Sequence, residues 1–172
     1  MMQGTIEPSI LTLMRPLLTF AVLAALALPA ASSARNQGAN DGTVSVRDAR
    51  GTITISARGG VIGNFARGSV TISDPVDGDG TGPIVTGDDF PPIERNETTT
   101  TWRGTKVRFR IIGGSFRVVV KGRGINLSLV GKGNVTVFGA GTEDDGSYSV
   151  NGGEYLALPA FQWAFPLSSS SP

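Results

Sequence analysis

Histidine and cysteine are both absent from this chain of 172 residues. That removes the usual transition-metal ligands, the commonest general base, a thiol nucleophile and any disulfide. Aromatic residues make up only 7%, with two tryptophans and two tyrosines, too few for the interleaved stacking platform that single-stranded nucleic acid uses. Long uncharged runs are rare as well. The longest, residues 16–34, is rich in Leu and Ala, follows Arg15 and ends in Ser32-Ser33-Ala34. A basic start, an apolar middle and a small-residue exit form an export signal, with cleavage expected after Ala34 and Met14 as an alternative start. Its apolar core, Leu17 to Pro29, is short for a membrane span, so the membrane is expected to be met only through this segment. The mature chain is expected to be secreted or held at the cell surface.

What the chain has in abundance is glycine, 24 residues of it, at nearly regular intervals. Units about nine residues apart open at Gly104, Gly114, Gly124 and Gly133, and a similar series opens at Gly42, Gly51, Gly60 and Gly68. Within each unit apolar residues fall at every second position, as in Val107/Phe109/Ile111 and Phe116/Val118/Val120. Period two is the signature of a half-buried strand. The two series align at an offset of 62–65 residues: ARGSVTI (66–72) matches GKGNVTV (131–137), and GTITISARGG (51–60) matches GSFRVVVKGRG (114–124). The pattern predicts an all-β fold, an antiparallel meander of eight to nine short strands forming a sandwich or barrel from two duplicated four-strand halves. Glycine-led units in one phase also suit a β-solenoid. The Gly113-Gly114 pair favours the meander, because it reads as a two-residue hairpin turn.

Residues 35–41 are a polar lead-in, 42–165 a single β domain, and 166–172 a serine tail expected to be disordered. Between the two glycine series lies a stretch of another kind, residues 74–101, proline-rich and acidic, which reads as a long loop. In the third unit strict alternation breaks at Gly63-Asn64, which predicts a bulge or bend there.

The net charge of +1 conceals strong segregation. Residues 74–97 hold seven acids and one base, whereas 98–142 hold eight bases and no acid. With a hairpin turn at Gly113-Gly114, Arg110 would lie across from Arg117 and Lys106 from Lys121, with Arg108 between them. Lys106, Arg108, Arg110, Arg117 and Lys121 then form a five-cation face, a candidate contact surface for an anionic envelope polymer or polysaccharide. A solvated face, or one covered by the acidic loop, would account for the same charges. No nucleic-acid partner is expected.

Asp77, Asp79, Thr81 and Asp88 fall at positions one, three, five and twelve of a calcium-loop pattern, with Gly82 at six. Threonine at five, aspartate at twelve and non-helical flanks all depart from that pattern, and calcium is the one cofactor the sequence raises. Phe161, Trp163 and Phe165 alternate in the tail, either as a strand closing the core or as an aromatic strip for stacking on sugars or a partner. No nucleophile–base–orienter set is visible. The expected protein is an exported, non-catalytic, structural or adhesive β domain. A calcium-stabilised binding module is the first alternative, and a hydrolase built on two carboxylates brought together in a cleft is the second.

Overall fold

The computed structural model describes residues 40–76, 78–87 and 94–171. The export segment and nearly all of the polar lead-in lie outside the described residues. Regular structure within them is entirely β, in seven strands: β1 (Gly42–Ser73), β2 (Gly80–Thr86), β3 (Glu94–Arg95), β4 (Thr99–Ala140), β5 (Ser147–Val150), β6 (Leu156–Ala157) and β7 (Trp163–Leu167). Every pairing among them is antiparallel, unlike the parallel coils of a solenoid.

Two strands dominate, β1 with 32 residues and β4 with 42. The short strands expected from the glycine spacing are segments of these two, because the chain bends at its glycines and carries on pairing. β1 and β4 pair with each other twice. Ile53 meets Val120 on one side and Val137 on the other, and Val120 in turn meets both Ile53 and Val70. The two strands therefore wind around one another as an antiparallel pair, each partner recurring 17 or 18 residues further on (Val120 to Val137, Ile53 to Val70, Ile111 to Leu129). The two glycine series of the sequence are β1 and the greater part of β4, interleaved rather than set side by side as separate halves.

Alternation along both chains sends every second side chain inward, and the winding lines these residues up in rows. One row runs Phe165–Val135–Ile55–Val118–Ile72, and another runs Val44–Leu129–Val61–Ile111. All belong to one buried cluster. Each fully buried aliphatic side chain contributes about 1.5–3 kcal/mol relative to exposure, so rows of this length provide the cohesion that disulfides supply in many small exported domains.

The corners explain the glycine spacing. At Gly68 (φ +159°) and Gly122 (φ +156°) the two backbones pass so close that a Cβ on Gly68 would run into the Lys121 carbonyl oxygen and lie 2.8 Å from Gly122 Cα. Gly63 has a different reason. It is an inward position in an unbroken ladder, not the bulge or bend expected, and the ring of Phe109 occupies the space its side chain would take. The real irregularity lies between Val46 and Ala49, where β1 carries an extra residue and Asp48 adopts φ +42°.

Gly113 and Gly114 make no hairpin. Both have positive φ (+79° and +81°), but the strand runs through them: Ile112 pairs with Gly60 and Thr81, and Ser115 pairs with Arg58. A glycine pair permits a corner as readily as a turn, and long-range pairing selects the corner here. The acidic 74–101 stretch is not one long loop either. β2 lies within it and pairs with β4 through Val85 and Phe109, and β3 pairs with β4 through Glu94 and Thr101.

The C-terminal segment adds a strand beside β4. β7 pairs with residues 133–137 of β4, and Phe165 stacks on Tyr148 with ring centroids 5.8 Å apart. The serine tail, expected to be disordered, is fixed by hydrogen bonds. Asn151 Nδ2 donates to the carbonyls of Ser168 (2.9 Å) and Ser171 (2.8 Å), and Ser171 Oγ donates to Pro166 O (2.7 Å).

Candidate functional site

The register decides which outward residues share a surface. On the run containing residues 51–58 and 115–122, Arg117 sits between Ser56 and Ser73, and Lys121 sits between Thr52 and Ser69. Ser69 also pairs with Arg103, and Arg58 pairs directly with Lys132. Between these cations runs a row of Thr136, Thr54, Val119, Thr71 and Thr101, with Thr71 and Thr101 joined through their hydroxyls at 2.9 Å. Neighbouring strands stand about 4.8 Å apart, so this is a flat array of hydroxyls edged by five positive charges. At one end of the row the backbone of Glu94 pairs with Thr101. Arg58 opposite Lys132 sets like charges face to face, an arrangement that costs stability in a β-ladder.

The five cations expected on one face are divided. Arg117 and Lys121 belong to the hydroxyl array. Lys106, Arg108 and Arg110 lie on the other run, where Arg110 pairs with Ile62 and Ile84 and Arg108 with Asn64 and Thr86. The cause is the missing hairpin, since continuing the strand through Gly113-Gly114 carries Arg110 and Arg117 to different runs. Arg58, Arg103 and Lys132 were not singled out from sequence. The alignment of GTITISARGG with GSFRVVVKGRG held a signal for the first, because it places Arg58 at the position of Lys121.

The calcium pattern does not form a loop. Thr81 and the residues to Thr86 are extended in β2, and chain rising at about 3.3 Å per residue does not curl its ligands round one ion. Asp79 is already engaged, accepting the Ser115 N–H at 2.9 Å and so fastening the Gly113-Gly114 corner. Asp77 and Asp88 lie outside the described residues, among which no group of three or more carboxylates gathers as a metal site would require. The aromatic strip is likewise divided. Phe165 is buried in the core row, while Phe161 and Trp163 remain exposed as an edge-to-face pair with centroids 6.3 Å apart.

Two grooves flank the irregular point at Asp48. The first, about 610 Å³, is lined by Asp48, Asn64, Thr86, Lys106, Arg108 and Asn126, with Phe65 and Ala66 as apolar lining. Asn126 Oδ1 accepts the Asp48 N–H at 3.0 Å, and Asn126 Nδ2 donates to Gly124 O at 3.2 Å. The second, about 580 Å³, lies between Asp48, Arg50, Arg123 and the turn carrying Asp145. Here Asp48 and Asp145 meet. A hydrogen bond between the two carboxyls, followed by partial loss of solvent and the charge of Asp145, holds Asp48 above the ordinary carboxylate range. No sequence signal pairs these residues, which are almost a hundred positions apart.

The fold and these surfaces define an all-β protein of long, doubly paired antiparallel strands. Comparison with known proteins finds no family model, no curated protein and no solved structure that matches the chain.

Proposed function

We propose that this chain is an exported, non-catalytic structural or adhesive protein that contacts anionic polymers through its flat hydroxyl face. One observation carries the reading: Arg58, Arg103, Arg117, Lys121 and Lys132 share a surface with a row of threonine and serine. Such a surface attracts a polyanion over several residues at once, and hydroxyls at regular strand spacing offer donors and acceptors along an extended polymer. The reading takes the two aligned glycine series as a duplication, wound as a two-layered sandwich, which extends the flat face across both copies.

The hydrolase alternative gains a carboxylate pair in Asp48 and Asp145. Asp48 and Asp145 lie close enough to interact through a hydrogen bond, whereas glycosidase carboxyls stand about 5 Å or more apart. The calcium-stabilised module loses its main support with Asp79 bound to Ser115.

Retention on beads of anionic and neutral polysaccharide, at low and high salt, tests the reading. The chain should bind the anionic beads in a salt-sensitive way. Changing Arg117→Gln and Lys121→Gln together should abolish retention, whereas Arg110→Gln on the other run should leave it intact. Equal retention on neutral beads, or retention that survives the double change, refutes it.

A further inference from the structure

The groove beside Asp48 combines features that the flat face does not need. It is concave, and its volume of about 610 Å³ falls within the range typical of small-ligand sites. Two of the four non-glycine residues with positive φ among the described residues line it, Asp48 (+42°) and Lys106 (+50°). Such conformations are uncommon for lysine and concentrate where a surrounding structure holds a functional side chain in place. The irregularity of β1 at Asp48 and the φ of +65° at Gly124 open the ladder at the same spot.

Its polar groups are also of mixed kind. Among the described residues of the lining, Lys106 and Arg108 bring two positive charges and Asp48 one negative, a single excess positive charge. Asn64 and Thr86 flank Arg108 as its pairing partners on either side. Of the two carboxamides, Asn126 is committed to backbone on both its atoms, while Asn64 meets it only at a long 3.5 Å through Oδ1. The Asn64 amide nitrogen, the Thr86 hydroxyl and both cationic heads therefore remain available to a ligand.

We propose that this groove binds one carboxylate-bearing sugar unit, a hexuronate of an acidic polysaccharide, with Arg108 and Lys106 on the carboxylate and Asn64, Thr86 and Asp48 on ring hydroxyls. One excess positive charge matches one carboxylate, and the planar guanidinium fork of Arg108 suits its two oxygens. Vicinal hydroxyls both donate and accept, which a carboxamide, a hydroxyl and a carboxylate together answer. The proposal rests on the reading of the chain as a contact protein for anionic polymers, but it places recognition of the individual unit on the opposite run from the hydroxyl face.

Nuclear magnetic resonance titration of the whole ¹⁵N-labelled chain separates the two. Glucuronate should shift the side-chain amide of Asn64 and the backbone signals of Lys106, Arg108 and Gly124 with millimolar affinity, while glucose shifts none of them. Arg108→Gln should weaken glucuronate about tenfold or more, as expected when a charge-assisted contact is lost. Asn64→Ala is the second variant should the first disturb the amide spectrum, and it should weaken glucuronate as well. The Arg117→Gln/Lys121→Gln protein should bind glucuronate normally while losing polymer retention, so the groove and the face fail or stand separately. Absence of shifts with glucuronate, equal shifts with glucose, or unchanged binding in both groove variants overturns the proposal. Glucose 6-sulfate binding as tightly as glucuronate overturns the assignment to a carboxylate.

Discussion

Replacing Gly68 by alanine tests the corner geometry on which the winding of β1 and β4 depends. Alanine at φ +159° occupies a region that L side chains rarely adopt, a strain of about 1–3 kcal/mol. Its Cβ would also press on the Lys121 carbonyl and on Gly122 Cα, neither of which can swing aside as a flexible side chain would. Relief requires the two corners to part, at about 1 kcal/mol for each ladder hydrogen bond weakened. The sum is about 3 kcal/mol or more, a large share of the 5–15 kcal/mol that stabilises a typical domain. For a chain of this size the melting temperature should fall by roughly 10 °C. Gly82 in β2 provides the internal control, because nothing lies within 4 Å of a Cβ built there and its φ is not positive. Gly82→Ala should leave the melting temperature unchanged or raise it slightly. Thermal unfolding followed by circular dichroism reads both variants. A Gly68→Ala protein that melts with wild type, or a Gly82→Ala protein that is equally damaged, would refute the argument that close backbone approach sets the glycine spacing.

Other positions give sharp contrasts. Phe165→Ala removes a buried ring stacked on Tyr148 and should cost about 3–5 kcal/mol, whereas Phe161→Ala, on an exposed ring, should stay within about 0.5 kcal/mol in denaturant titrations. Asp79→Ala removes a charge-assisted hydrogen bond to the Ser115 N–H and should cost about 1–2 kcal/mol, while a chelator should leave the wild-type melting temperature unchanged. Asp48 is held above its ordinary value, so the stability it contributes is fully present below the unfolded-state value of 3.8 and is lost as pH rises through the raised folded value. Asp145→Asn keeps a hydrogen-bonding partner without the second charge, so it should melt higher than wild type at neutral pH and show no such advantage in acid. The same difference at both pH values would exclude repulsion between the two carboxylates as its cause.

The strand content of this protein was legible because alternation is a local property. Val107, Phe109 and Ile111 announce an inward face whichever strand lies beside them, and nearly all the residues read as inward are buried. Segregation of charge was legible too, since it needs only counting. The corners at Gly113-Gly114 and at Gly68 were not, because glycine permits a turn and a bend alike, and only the strand waiting alongside distinguishes them. From that one distinction follow the division of the expected cation face and the joining of Arg117 and Lys121 with Arg58, Arg103 and Lys132. Asp48 and Asp145, like Asn64 and Lys106, come together for the same reason. Sequence by itself determined which residues point inward and where the chain can bend. Tertiary structure alone decided which outward residues share a surface, because pairing across intervals of tens of residues is chosen by the packing of the whole core.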